Sequence, residues 1–77
     1  MKLYKISQTE NTGYDTYDSA VVAAESEEEA KTIHPAAEYP WNERDYSWAS
    51  SSKNVTAEYL GETHLPKGVI VASFNAG

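Results

Sequence analysis

The sequence has 77 residues and no cysteine, which excludes disulfide bonds and a thiol nucleophile. Its two histidines stand far apart with no cysteine near them, so they form no zinc signature. The length allows one domain, residues 1–77, with a small core that needs reinforcement. Aromatic loops packed over the core could supply it, and so could pairing with a second copy as a homodimer.

Basic residues are scarce: six Lys and Arg stand against twelve Asp and Glu, which gives a net charge of −6. An acidic surface repels phosphodiester backbones, and the chain has no Lys/Arg cluster to overcome that repulsion. We therefore expect no direct binding of nucleic acid. An acidic protein can still occupy a basic groove on another protein by imitating nucleic acid, and this alternative stays open.

Long apolar runs are missing as well, since no stretch approaches the ~20 residues that a membrane-spanning helix needs. The chain does not open with a basic segment followed by an apolar one, as a secretion signal would. We expect a protein of the cytoplasm that does not contact a membrane.

Catalytic motifs are few. The four glycines are isolated, so no Gly-rich phosphate loop is present. His34, next to Pro35, is expected to cap the last carbonyls of a helix, and His64 has no Ser or Asp at a triad spacing. Asp15 and Asp18 could pair as acid and base, but carboxylates in such loops more often form Asx turns. We expect no enzymatic activity, no metal site and no cofactor.

The apolar pattern predicts four strands around one helix, at residues 2–7, 19–24, 55–60 and 69–74. The continuous apolar run of the last strand indicates the best-buried strand, and Gly61 is expected to end the third. The order β-β-α-β-β predicts an α+β fold: a four-stranded, mainly antiparallel sheet with one short helix on one face.

The helix has the clearest local signal. Ser26 and Glu29 have capping-box spacing, so the serine hydroxyl can accept from the amide of Glu29 and the carboxylate can reach back. Ala30 and Ile33 should face the core. Because Pro35 cannot continue the helix, we expect about two turns, held by packing on the sheet.

Aromatic residues concentrate in two loops, one at about residues 11–18 and a long one at 36–53. Loops above about 12–15 residues are usually functional or disordered, and disordered segments are poor in aromatics. Rings beside amides and charges suit the binding of a planar polar ligand or a partner protein. The residues predicted to contact a ligand are Asn11, Tyr14, Asp15, Tyr17, Asp18, Trp41, Arg44 and Trp48.

Two alternatives remain for the long loop. Trp41 and Trp48 can fold back as a lid over the core, which we expect of one of them, or the rings of both loops can line a cleft. Arg44, the only arginine, can pair with a ligand phosphate or with the neighbouring Glu43 or Asp45.

Three segments carry a family resemblance: residues 11–24 (NTGYDTYDSAVVAA), 25–35 (ESEEEAKTIHP) and 68–77 (GVIVASFNAG). Through them the chain resembles, nearly end to end, a family of small proteins encoded by phages and prophages, with residues 36–53 as the variable part. Phage genes of this size often encode anti-defence proteins. Among these are small oligomeric sponges that sequester nucleotide immune signals, including the ADP-ribose derivatives made by Thoeris TIR proteins.

The resemblance implies a non-enzymatic phage protein that sequesters an ADP-ribose-type signal in an aromatic-lined pocket in the infected host. The predicted rings would stack the base, Asp15 or Asp18 would accept from ribose hydroxyls, and Arg44 or backbone amides would meet the phosphates. The alternative is an acidic inhibitor that binds a host defence protein or nucleic-acid enzyme. A third hypothesis, a small hydrolase, predicts turnover of the signal.

Overall fold

A computed structural model describes residues 1–36 and 47–75. Within them, four strands form one antiparallel sheet in the order β3-β1-β2-β4. This sheet and one short helix confirm the predicted α+β fold. The elements are β1 Lys2–Ser7, β2 Thr16–Ala24, α1 Glu27–Lys31, a 3-10 helix Ser52–Asn54, β3 Thr56–Glu62 and β4 Gly68–Asn75.

The two central strands are β1, with the predicted bounds, and β2, which begins earlier than predicted. The β1–β2 register runs from Lys2 opposite Ala24 to Ser7 opposite Ser19. The start of β2 is extended because Thr16 and Tyr17 pair with the end of β4. Both are residue types that favour strands. Tyr17 and Asp18 therefore belong to a strand and not to a loop.

The helix begins at the predicted cap. The Ser26 hydroxyl accepts from the Glu29 amide at 3.2 Å, whereas the Glu29 carboxylate accepts from the amide of Glu25, at 2.9 Å, and not from that of Ser26. The helix has only five residues, which is shorter than predicted. Ala30 and Ile33 are buried, as expected for the face that packs on the sheet.

The core lies on one face of the sheet. The helix and residues 48–49 pack there against inward side chains of the strands. The largest fully buried side chains are Trp48, Ile6, His34 and Val22. On the opposite face, Lys5, Ser19, Val21 and Val71 line a shallow hollow, and within the described residues no helix covers it.

The third strand continues past the glycine that is predicted to end it. Gly61 pairs with Leu3 while Tyr59 pairs with Tyr4, so Leu60 is the extra residue of a bulge. The φ of Gly61 is 149°, a conformation that glycine adopts without the penalty of a Cβ. Gly61 thus shapes a bulge within β3.

The prediction that the last strand is the best buried is wrong. β4 lies at an edge of the sheet, and Ile70, Val71 and Phe74 are all exposed. Its apolar run resembles that of a buried strand, but the interior place beside β1 is taken by β2. Burial here depends on topology, which a local pattern does not contain.

Candidate functional site

The first loop is held by a buried glutamine. Gln8 is 5% exposed, and its amide nitrogen donates to the carbonyls of Asn11 and Tyr17 at 2.6 and 3.0 Å. Its side-chain oxygen accepts from the Asn11 amide at 2.8 Å. Both ends of the amide are therefore satisfied, and the loop is fixed to the start of β2. The burial of Gln8 was not predicted, because a polar residue after a strand gives no sign of burial.

The tip of this loop closes onto the end of β4. The Gly13 carbonyl accepts from the Thr16 hydroxyl at 2.5 Å and from the Asn75 side chain at 3.2 Å. The Asp15 amide donates to the Asn75 carbonyl at 2.5 Å. Asp15 has a φ of 60°, a left-handed conformation that Asp tolerates better than most residues. These bonds set the direction in which the residues between Gly13 and Thr16 project.

Two of the predicted rings and two of the predicted carboxylates meet at this tip. Tyr14 is 77% exposed. The Tyr17 ring packs edge-on against Phe74, with centroids 4.7 Å apart. Asp15 and Asp18 are exposed, and Asp18 is the extra residue of a bulge in β2. We call Tyr14, Asp15, Tyr17, Asp18 and Phe74 the tip surface.

The chemistry of the tip surface favours binding. An exposed ring offers a stacking face to a planar group, and two carboxylates accept hydrogen bonds from hydroxyls or amines. The bulge directs Asp18 out of the regular strand alternation, as bulges beside functional sites often do. The five residues of the tip surface include no basic side chain, so donors for an anionic group must come from elsewhere in the chain.

The Asn11 side chain makes a hydrogen bond within the protein. Its side-chain nitrogen donates to the Trp48 carbonyl at 2.7 Å, which joins the first loop to the second. Near it, the Tyr17 amide donates to the Ser47 carbonyl at 2.7 Å. The first bond engages the Asn11 side-chain amide that we predict to contact a ligand, and both bonds hold residues 47–48 against the chain segment that carries the first loop.

The prediction that Trp48 stacks a ligand is wrong for this structure. Its side chain is fully buried among Ile6, Val22 and other core residues, so it has no free face. Burying a large ring contributes more to a small core than a hydroxyl or amide could. The expectation that one tryptophan packs over the core is thus met by Trp48. Trp41 and Arg44 lie outside the described residues.

A second contact between the loops involves Glu10. Its carboxylate accepts from the amide and hydroxyl of Ser50, each at 3.2 Å, and from the Asn54 side chain at 2.8 Å. The hydrogen bond from the Ser50 side chain is the main cause that holds the pKa of Glu10 below its usual value. Sequence reasoning missed this contact, because its partners lie forty and more residues away along the chain.

Comparison with protein-family models, with curated proteins and with solved structures found no match. The resemblance to small phage proteins therefore stays a prediction. Across residues 1–36 and 47–75, no group of three or more His, Asp or Glu is placed to hold a metal. In the same part of the chain, no helix has the length and apolar character needed to span a membrane.

His34 is buried, and its Nδ1 accepts from the Ala36 amide at 3.0 Å, which fixes the turn after the helix.

Proposed function

We propose that the protein binds an ADP-ribose-type nucleotide signal at the tip surface and sequesters it unchanged, in the cytoplasm of an infected bacterium. The observation that supports this proposal is the 77% exposure of Tyr14 on a loop held from several sides by hydrogen bonds. A ring presented by an ordered loop loses little conformational entropy when a ligand binds.

Each part of the ligand has a candidate partner. Tyr14 stacks on the base, and Asp15 and Asp18 accept from the ribose hydroxyls. We expect the phosphates to be met by backbone amides or by Arg44, which lies outside the described residues. The net charge of −6 opposes an anionic ligand, so these donors must lie close to the phosphates to offset it.

Isothermal titration with ADP-ribose and with cyclic ADP-ribose tests the proposal, at about 100 μM protein so that binding of roughly −5 to −6 kcal/mol is detected. Loss of the stacking ring in Tyr14→Ala should weaken binding by roughly 5- to 150-fold, equivalent to 1–3 kcal/mol. Tyr59→Ala is the matched control, since Tyr59 is also exposed but lies on β3.

A further variant tests the predicted contact between Asp15 and the ribose. Asp15→Asn keeps a residue that tolerates the left-handed backbone, but it removes the charge and replaces one acceptor oxygen with a donor, so it reports on the ribose contact. Absence of heat with both nucleotides, or equal losses in Tyr14→Ala and Tyr59→Ala, contradicts the proposal. Nucleotide recovered unchanged after denaturing the protein rejects the hydrolase hypothesis, whereas a cleaved product supports it.

The acidic start of the helix favours a second candidate, an inhibitor that docks on a basic groove of a host defence protein or nucleic-acid enzyme. Glu25, Glu27 and Glu28 are all exposed there. Glu29 is engaged, because it accepts from the Glu25 amide and lies 3.7 Å from the Lys67 ammonium. Only the free carboxylates of this segment are available to a partner.

Inhibition assays on purified host nucleic-acid enzymes test this candidate. The double variant Glu27→Gln, Glu28→Gln should lose inhibition, and added salt should weaken the wild type. The control is Glu58→Gln, Glu62→Gln, which removes equal charge from β3. Inhibition that survives in the helix variant, or is lost equally in the control, contradicts docking through the helix.

A further inference from the structure

We propose that the free edge of β4 is a self-association surface, along which a second copy of the chain pairs its own β4 in antiparallel orientation. β4 pairs with β2 on one side, and in the described part of the chain no strand pairs with its other side. The outer backbone groups of such a strand form a template for another strand. This inference does not depend on the identity of the ligand.

The composition of β4 leaves this template unprotected. Its sequence, GVIVASFN, contains no charged residue and no proline, which are the usual protections of an edge strand. One bulge is present, where Ile70 is the extra residue between Val69 and Val71. Beyond the bulge, no strand of residues 1–36 and 47–75 pairs with the outer side of Val71–Asn75.

Apolar side chains accompany the free backbone. Ile70 is 39% exposed, Val71 59% and Phe74 45%. On the open face, Val71 borders a hollow of about 140 Å³ that reaches Val21. Before the strand, a second hollow of about 320 Å³ is lined by residues 65–70, and Leu65 there is 49% exposed. The apolar surface is therefore broader than one strand.

The opposite edge of the sheet is different. β3 carries Glu58 and Glu62, and it is interrupted by the bulge at Leu60. Two β3 strands set side by side would bring carboxylates together and would meet at a distorted backbone. Of the two edges, β4 alone has the neutral composition that pairing requires.

Charge favours a second copy as the occupant. Two copies with a net charge of −6 each repel one another unless their contact is free of charge, and β4 provides such a contact. A two-fold axis places identical neutral strands side by side, with no acid opposite an acid, and the assembly closes at two copies. A partner selected by charge would find no charged residue on this strand.

The available area sets the strength. A standard interface buries about 800 Å² per partner, which is about one sixth of the 4820 Å² surface of the chain. Backbone pairing along one short strand is less than that, so the hollow beside Val21 and the segment at Leu65 must also be covered. We expect a weak dimer, with a Kd in the micromolar range or above.

Sedimentation velocity over a range of concentrations tests the proposal. Val71→Glu places a carboxylate on β4, and Leu60→Glu makes the same change at the β3 edge, where Leu60 is similarly exposed at 49%. We expect concentration-dependent dimers for the wild type and Leu60→Glu, and a Kd at least tenfold higher for Val71→Glu. Circular dichroism verifies that each variant is folded.

A second measurement uses the absence of cysteine. Ser73→Cys places a single thiol on β4, and Thr56→Cys places one on β3 as the control. A short bismaleimide should link two copies of Ser73→Cys and leave Thr56→Cys largely unlinked. The proposal is overturned if the wild type is monomeric up to about 1 mM, if Val71→Glu and Leu60→Glu dimerise equally, or if both cysteine variants link to the same extent.

Discussion

Shortening Trp48 should destabilise the fold without any ligand being involved. The Trp48 side chain is 0% exposed and belongs to the core between the sheet and the helix. Truncating a buried Trp to Ala typically costs about 3–5 kcal/mol. A domain of 77 residues has a total stability of roughly 4–12 kcal/mol. Trp48→Ala should therefore remove about a quarter or more of the free energy of unfolding.

The variant Trp48→Phe distinguishes the contribution of the apolar ring to stability from the cost of burying the indole N–H. Within the described part of the chain, the indole nitrogen of Trp48 is buried and donates to no acceptor. Removing it relieves a desolvation penalty of about 1–3 kcal/mol, while the smaller ring leaves a void that costs a similar amount. The two contributions offset, so we expect a change within about 1 kcal/mol.

Urea unfolding followed by far-UV circular dichroism measures both variants. The predicted order of stability is wild type and Trp48→Phe close together, with Trp48→Ala about 3–5 kcal/mol lower. An unchanged free energy of unfolding for Trp48→Ala would contradict this prediction, because it would mean that the ring is not part of the core. A loss in Trp48→Phe as large as in Trp48→Ala would refute the assigned cost of the indole nitrogen.

Three further predictions concern the first loop. Asn11→Ala should lower the free energy of unfolding by about 1–3 kcal/mol, because the Trp48 carbonyl loses its donor; Thr12→Ala, an exposed neighbour, should change it little in the same urea assay. Because the pKa of Glu10 is lowered in the folded state, the Glu10 carboxylate contributes stability above a pH of about 4.5, and this contribution is lost as the pH falls through the folded-state pKa. The urea midpoints of wild type and Glu10→Gln should therefore differ more at pH 7 than at pH 3. An equal difference at both pH values would contradict this prediction. Asp15→Gly should maintain or raise stability by up to about 1 kcal/mol because the φ of 60° suits glycine, while titration calorimetry shows weaker binding of ADP-ribose; a loss of stability would count against the assigned backbone conformation.

Local features of the fold were predictable from the sequence. Strand β1 was predicted from its β-forming residues, and the start of the helix was predicted from the spacing of Ser26 and Glu29. Both depend on neighbouring residues only. The exposure of β4 was not predictable, because its apolar run fits an edge strand and a buried strand equally. Only the pairing of β2 with both β1 and β4 decides between them.

The candidate site was also predictable only in part, because local composition indicates its exposed residues but not the contacts between distant residues. The aromatic and acidic composition of the first loop indicated Tyr14, Asp15 and Asp18, which the structure leaves exposed. The roles of Gln8 and Glu10 depend on hydrogen bonds across the loop and between the loops. No residue pattern along the chain contains that information.

Chemical-shift mapping tests the central claim, that the tip surface is where the ligand binds. Amide spectra of ¹⁵N-labelled wild-type protein are recorded during titration with ADP-ribose and with cyclic ADP-ribose. We expect the largest shifts on Tyr14, Asp15 and Tyr17, with Glu58 and its strand neighbours little changed. Shifts centred on another surface, or none with either nucleotide, would contradict it.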